Sequence, residues 1–193
     1  MKNKFNKVVL STLLITSSAM ADYSFNVESL IGVEGGYSSL DVERSDDVEN
    51  TNSLTKYKLP HAGLKIGAQT ENYRGFLHVN YYSDDDFDYA TTYGVSLQYL
   101  VNVSKYWNVF LGVNGGIMNL RYSAPHENKS RTLSDSYYGG DLGVNIHLGD
   151  SFDLELGGRY MAIDASNTID DVTYTFDNMI SGYGSIIYRF KMD

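Results

Sequence analysis

The sequence predicts an all-β fold, eight antiparallel strands closed into a transmembrane β-barrel with short periplasmic turns and longer extracellular loops. Three observations predict it. Apolar side chains recur with period two in segment after segment, and successive side chains of a strand point to opposite faces. Connections alternate between long polar stretches and short turns along the whole chain. Large rings stand eight residues apart on the apolar face, as Tyr73 does from Tyr81 and Phe152 from Tyr160. That spacing is ~26 Å of strand, or ~20 Å along the membrane normal at a tilt of ~40°, close to the apolar band between two aromatic girdles.

The chain opens on a leader-like segment. Lys2, Lys4 and Lys7 form a positive stretch, Val8 to Ile15 is apolar, and Ala19-Met20-Ala21 is an A-x-A cleavage site. Those features in that order define a secretory signal peptide. Residues 1–21 are therefore expected to be removed, leaving one barrel domain over 22–193. Beyond the leader no apolar run approaches the ~18 residues that a membrane-spanning helix needs, so any crossing is by strands.

The first strand, Leu30 to Val42, carries Ile31, Val33 and Tyr37 on one face and Glu34 and Ser38 on the other. A polar loop is expected from Glu43 to Thr55. The second strand, Tyr57 to Gln69, sets Leu64 and Ile66 against His61 and Lys65. Pro60 stands near its start, where a missing N–H is tolerated. After the turn Thr70-Glu71-Asn72, the third strand places Tyr73, Leu77 and Tyr81 opposite Arg74 and His78, and Ser83 to Asp88 is an acidic loop. The fourth strand, Tyr89 to Val101, alternates most regularly. A turn near Asn102 to Lys105 leads to the fifth, with Trp107, Val109, Leu111 and Val113 on its apolar face, and a long polar loop follows from Ser123 to Asp135.

The sixth and seventh strands form one long hairpin around the turn Gly149-Asp150-Ser151, residue types that tolerate turn dihedrals. Tyr138, Leu142, Val144 and Ile146, then Phe152, Leu154, Leu156 and Tyr160, make its apolar face. Asp141, Asn145 and His147, then Asp153, Glu155 and Arg159, make the other. That turn puts Asp141 opposite Arg159 and Asn145 opposite Glu155. A loop from Ala165 to Thr175 leads to the last strand, Met179 to Phe190.

Which face points inward decides the environment. A face made mostly of glycine, serine and ionisable groups cannot fill an ordinary soluble core. An outer-membrane barrel inverts the arrangement, apolar outward to lipid and polar inward to the lumen; a soluble ligand-binding barrel is thereby disfavoured. Glu34, Lys65, Arg74, Asp141, Glu155, Arg159 and Arg189 are assigned to a lumen polar network, with His78, Asn145 and His147 on the same face. An eight-stranded interior is just wide enough to be filled by side chains, and buried charges there must neutralise one another. Tyr73, Tyr99, Trp107 and Phe152 are assigned to the periplasmic girdle, and Tyr37, Tyr81, Tyr89, Tyr138 and Tyr160 to the outer one.

Composition narrows the function classes. The formal charge of −9 becomes more acidic once the three leader lysines are gone, which speaks against nucleic acid as a partner. Cysteine is absent, so disulfides, thiolate metal sites and cysteine nucleophiles are excluded. Asp84, Asp85, Asp86 and Asp88 lack the glycine and terminal glutamate of an EF-hand loop. His61, His78, His126 and His147 show no metal-ligand spacing on one face. No metal or cofactor is expected. His126 with Ser123, Ser130 or Ser134 is the one loop cluster offering both a base and a hydroxyl nucleophile, and an ordinary polar loop accounts for it better.

The glycine-and-aromatic strands GVEGGYSS, GVNGGIMNLRY and GGDLGVNIHLGDSFDLELGGRY and the closing GYGSIIYRF resemble small OmpA/OmpX-type, opacity-protein-like outer-membrane barrels over essentially the whole mature chain. Members usually end on an aromatic residue that the barrel-assembly machinery reads; here Phe190 is followed by Lys191-Met192-Asp193. The resemblance implies residence in the outer membrane among its lipids and lipopolysaccharide, insertion by the assembly machinery, and a monomeric state. It implies a non-enzymatic, porin-like surface antigen with a structural or surface-interaction role through its extracellular loops. A lipid A-modifying barrel enzyme or a narrow ion-conducting channel is the alternative.

Overall fold

The computed structural model describes residues 27–46, 51–83, 89–123, 130–169 and 172–191; the leader-like segment, the acidic run 84–88 and His126 lie outside them. Eight strands follow in chain order: β1 (Glu28–Asp46), β2 (Thr51–Gln69), β3 (Tyr73–Tyr82), β4 (Tyr89–Ser104), β5 (Trp107–Ser123), β6 (Ser130–His147), β7 (Phe152–Ile169) and β8 (Val172–Phe190). Each pairs antiparallel with the next, and β8 closes on β1. A closed ladder gives every strand a neighbour on both sides, which is what backbone N–H and C=O groups need where no water can reach them. At the hairpin between β6 and β7, Leu148 donates to the Phe152 carbonyl over 2.7 Å and Gly149 takes a φ of 82°, the left-handed region a side chain disfavours. The register that results pairs Asp141 with Arg159 and Asn145 with Glu155, as the turn residues require.

The closed barrel matches the sequence expectation, but three outer hairpins are longer than expected. Segments read as loops over 43–55, 123–135 and 165–175 are largely strand, since β1 reaches Asp46, β2 starts at Thr51, β6 at Ser130, β7 ends at Ile169 and β8 starts at Val172. Six of the strands run to 17–19 residues, where a membrane crossing takes only ~9–11. The surplus stands beyond the outer girdle, where the rule for the two faces reverses. Below the girdle Leu142, Leu111 and Leu97 point outward and are 64–65% exposed in the absence of lipid. Above it the apolar residues turn inward: Leu40, Val42, Leu59, Met118, Leu120, Met161, Ile163, Phe176 and Met179 pack with Tyr82, Ala90 and Tyr137 into a dry core. On β1 the switch falls just after Tyr37, beyond which Ser39 and Asp41 face out while Leu40 and Val42 are buried.

The expectation of an inward face made mostly of glycine, serine and ionisable groups holds at mid-height but not at the outer end, where the inward face is apolar. Polar outward residues and short apolar inward ones give a stretch little net hydrophobicity, so it reads as loop, yet it is the pattern of a water-soluble sheet. A register shift lets β8 obey both rules. Met179 pairs with Leu40 and Phe176 with Val42, so β8 spends one residue more than β1 between them and both side chains still enter the core.

The reversal is measurable. An Arg in place of Leu142, outward near mid-membrane, should cost about 2–4 kcal/mol of refolding free energy, whereas one in place of Ser134, outward above the girdle, should cost about 0–1 kcal/mol. Equal losses in equilibrium refolding into lipid vesicles would show that the two heights do not differ in surroundings.

Candidate functional site

Inward residues at mid-height on β1, β2, β3, β6 and β7 converge on the barrel axis. Strand alternation puts Glu34, Lys65, Arg74, Asp141, Glu155 and Arg159 on the lumen face, and their side chains are 0–3% exposed. They form one chain of alternating sign. Arg159 donates from Nε to Asp141 Oδ1 over 2.9 Å and from Nη1 and Nη2 to the two oxygens of Glu34 over 2.8 and 3.2 Å. Lys65 Nζ bridges Glu34 at 3.5 Å and Glu155 at 2.6 Å, and Arg74 closes the series on Glu155. The ends are capped by neutral amides: Asn114 donates to Asp141 over 3.0 Å, and Arg74 donates to Gln98 over 2.8 Å and to Asn145 over 3.4 Å. Three anions and three cations leave no net charge, as burial in a low dielectric demands.

Aromatic rings line the same chain. Lys65 Nζ lies 5.0 Å from the Phe76 ring and 5.4 Å from Tyr183, Arg74 lies 5.0 and 5.2 Å from Phe76 and Phe110, and Arg159 lies 4.7 Å from Tyr183. Ring faces attract desolvated cations, so each positive group has both a carboxylate and a π-face. Toward the outside follows a layer of smaller polar groups. Ser38 Oγ sits 3.0 Å from His61 Nδ1 and 2.7 Å from Ser181 Oγ, His61 Nε2 is 3.6 Å from Glu34, and His78 Nε2 is 2.9 Å from the Tyr137 hydroxyl. Gly94 makes room for that last pair, because a Cβ there would run into both Tyr137 and His78.

Arg189 stands apart from the central chain. At the periplasmic mouth it meets Asp153 at 3.1 Å and Glu28 at 3.5 Å and donates to the Gly149 carbonyl over 3.0 Å. Asp153, fully buried, also accepts from Asn145 over 3.0 Å and lies 2.8 Å from His147 Nδ1, while Gln69 donates to Glu28 over 2.8 Å. Arg189 shares the inward face with the others but lies at the foot of β8, so face alone did not separate the two clusters. Sequence reasoning placed Asp153 on the lumen face without giving it a part in the network, and gave none to Glu28, Tyr137, Tyr183, Phe76 and Phe110. Their signal was parity: each falls on the lumen side of its strand. Of the hydroxyls considered beside His126, Ser134 is exposed on the outside of β6, and Ser123 and Ser130 oppose each other in the ladder.

On the outer wall, Tyr73, Tyr99, Trp107 and Phe152 ring the periplasmic end of the apolar band, and Tyr37, Tyr81, Tyr89, Tyr138 and Tyr160 its outer end. Tyr73 packs edge-on to Tyr99 at 5.3 Å, Phe152 against Tyr188 at 5.1 Å, and Tyr81 stacks on Tyr89 at 5.9 Å. Tyr160 donates to Asn178 over 2.5 Å. Among the described residues no helix is long and apolar enough to cross a membrane, and no cluster of three or more His, Cys, Asp or Glu stands ready to hold a metal ion.

A closed eight-stranded barrel with a lipid-facing apolar band and a polar, charge-balanced lumen defines an outer-membrane β-barrel protein. The chain belongs to the outer membrane protein beta-barrel domain family, whose model matches residues 8–184. Among solved structures it is similar to Neisserial surface protein A, at 14% identity over 83% of this chain and 97% of that one, with a TM-score of 0.60. It is also similar to OprG from Pseudomonas aeruginosa (15% identity, 85% and 97% covered, TM-score 0.56) and to the N-terminal barrel domain of Pseudomonas aeruginosa OprF (8%, 83% and 97%, 0.53). At those identities the likeness is one of fold. No curated protein sequence matches the chain. The protein is thus an outer-membrane protein, set among the lipids of that membrane.

The lumen chain carries its own test. Asp141→Ala leaves Arg159 with one partner fewer and the chain with one uncompensated cation, a change that should cost about 3–5 kcal/mol. Removing Arg159 as well restores neutrality, so the double variant should lose clearly less than the two single losses added together. Urea titrations of the four proteins refolded in detergent measure the cycle, and strict additivity would dismiss the coupling.

Proposed function

We propose that the protein is a non-enzymatic, non-conducting barrel with a structural or surface-interaction role, exerted through the folded outer end it raises above the membrane. The observation that carries the reading is the filled lumen. At mid-height the six charges satisfy one another rather than facing a water column. Above them the core around Leu40, Met118, Met161 and Met179 blocks the outer end with apolar groups that no ion would cross without losing its hydration. The barrel works as a monomer in this reading, is inserted by the barrel-assembly machinery, and lacks residues 1–21 once exported.

Planar-bilayer conductance of the refolded protein, alongside mass spectrometry of lipid A from cells with and without it, tests the proposal. Electrically silent bilayers and unchanged lipid A are expected. Discrete ion steps would replace the reading with a narrow channel, and a mass shift in lipid A would replace it with an enzyme. Intact-mass measurement on the same membranes should place the mature N-terminus at Asp22.

A further inference from the structure

His147, the last residue of β6, is paired directly with Asp153, the second of β7, at the periplasmic mouth. Asn108, the second residue of β5, reaches the same place from the next strand. The imidazole stands between the two: Nδ1 is 2.8 Å from Asp153 Oδ1 and Nε2 is 3.3 Å from Asn108 Nδ2. A carboxylate only accepts, so Nδ1 carries a proton toward Asp153 in either charge state of the ring. The amide is different, because it has a donor on one side and an acceptor on the other. With Nδ2 forward it donates to a bare Nε2; turned over, its Oδ1 accepts from a protonated one. That oxygen belongs to a side chain only 2% exposed and has no hydrogen-bond partner of its own. Imidazole and imidazolium therefore both find partners for their two ring nitrogens, at the cost of turning one amide.

The charges around the ring decide what a second proton does there. Among the described residues, the anions at the mouth are Asp153 on β7, Glu28 on β1, Glu71 in the β2–β3 turn and Asp150 in the β6–β7 turn. The cations are Arg189 on β8, Lys191 just beyond it and Lys105 in the β4–β5 turn. Four anions against three cations leave one negative charge in excess, unlike the balanced chain at mid-height, and a protonated His147 supplies the missing cation. Arg189 is the group placed to respond. It is divided between two acids: Nε lies 3.1 Å from Asp153 Oδ1 without a hydrogen bond to it, and Nη1 lies 3.5 Å from Glu28. Asp153 Oδ1 is the same oxygen that faces His147. Two cations on one oxygen repel each other, whereas His147 on Asp153 and Arg189 on Glu28 make two separate neutral pairs. Arg189, Glu28 and His147 line both recesses of the mouth, of about 560 and 400 Å³, so the place Arg189 takes sets their shape.

We propose that His147 is a proton-operated latch on the periplasmic mouth. Neutral, it leaves Arg189 shared between Asp153 and Glu28. Protonated, it holds Asp153 alone, Asn108 turns its oxygen to Nε2, and Arg189 passes to Glu28. The mouth then changes shape with the acidity of the periplasm while the strand ladder stays as it is. Histidine suits the task, being the side chain whose ordinary titration falls between about pH 5 and pH 8. The latch does not depend on whether the lumen conducts.

Nitrogen NMR of the full barrel in nanodiscs, with labelled histidine and arginine, reads the ring and the guanidinium together. Spectra of wild type, His147→Gln and Asn108→Leu are compared between about pH 5 and pH 8. Heat-dependent gel mobility confirms that each variant is folded. At the alkaline end, wild type should show Nδ1 protonated and Nε2 bare. As the pH falls, Nε2 should move to the protonated range with Nδ1 almost unchanged, and the Arg189 signals should shift with the same midpoint. His147→Gln should abolish the Arg189 step. Asn108→Leu offers the imidazolium no acceptor, and a hydrogen bond from a charged donor is the stronger one, so the ring there should bind its proton about fivefold more weakly. A bare Nδ1 at the alkaline end overturns the latch, as does a ring that keeps one charge state throughout. So does an Arg189 signal that ignores the ring in wild type, or an Arg189 step that survives in His147→Gln. An unchanged midpoint in folded Asn108→Leu overturns the part given to the amide, and if that variant does not fold, wild type and His147→Gln still decide the latch.

Discussion

A closed barrel of eight strands has to fill its middle with something, and this one fills it with charge. Once Glu34, Lys65, Arg74, Asp141, Glu155 and Arg159 are withdrawn from water, each carries a desolvation cost that only a partner of opposite sign can offset. A chain of alternating sign meets that demand with few groups, because every interior member serves two neighbours. The rest of the lumen follows from it. Phe76, Phe110 and Tyr183 supply ring faces to cations that already hold their carboxylates. Asn114, Gln98 and Asn145 cap the two ends with amides, which add hydrogen bonds without adding charge. The layer of Ser38, Ser181, His61, His78 and Tyr137 follows before the apolar core begins.

The wall is governed by a complementary rule. Within the lipid band the strands expose Leu97, Leu111 and Leu142 and hide their charges; above it they expose Asp41 and Lys58 and hide Leu40 and Met161. One strand therefore reads as a membrane strand for half its length and as a soluble strand for the other half. The girdle of Tyr37, Tyr81, Tyr138 and Tyr160 marks the change, since a ring with a hydroxyl suits the boundary of both media. The register shift on β8 and the excess length of the outer hairpins are how the backbone accommodates two solvents in one ladder.

How much of this the sequence disclosed follows from what alternation can and cannot say. Alternation gave the strand number and the faces, and with a turn as short as Gly149 to Ser151 it gave the facing of Asp141 and Arg159. It could not give the contact between Arg159 and Glu34, which lie 125 residues apart and meet across the lumen. Nor could it tell that Arg189 belongs to the mouth while Arg159 belongs to the middle, because height along the axis depends on stagger between strands. The outer hairpins escaped notice for a different reason. The pair Leu133 and Ser134, in a segment read as loop, puts its leucine toward the core and its serine outward, the faces exchanged from those of the lipid band, so a search for lipid-facing residues passes over it.

That exchange has a consequence for how the cell surface is read by other molecules. A peptide loop is seen much as its linear sequence is, since it adopts similar shapes in the folded and unfolded chain. The ladder that carries β1 and β2 to Asp46 and Thr51, and β7 and β8 to Ile169 and Val172, is different. There, residues displayed side by side belong to different strands, as Asp41 and Lys56 do. To an antibody, such walls would be surfaces of conformation and not of linear sequence. An antibody raised against the denatured chain would find little of that surface, and one raised against the folded barrel would lose it on boiling.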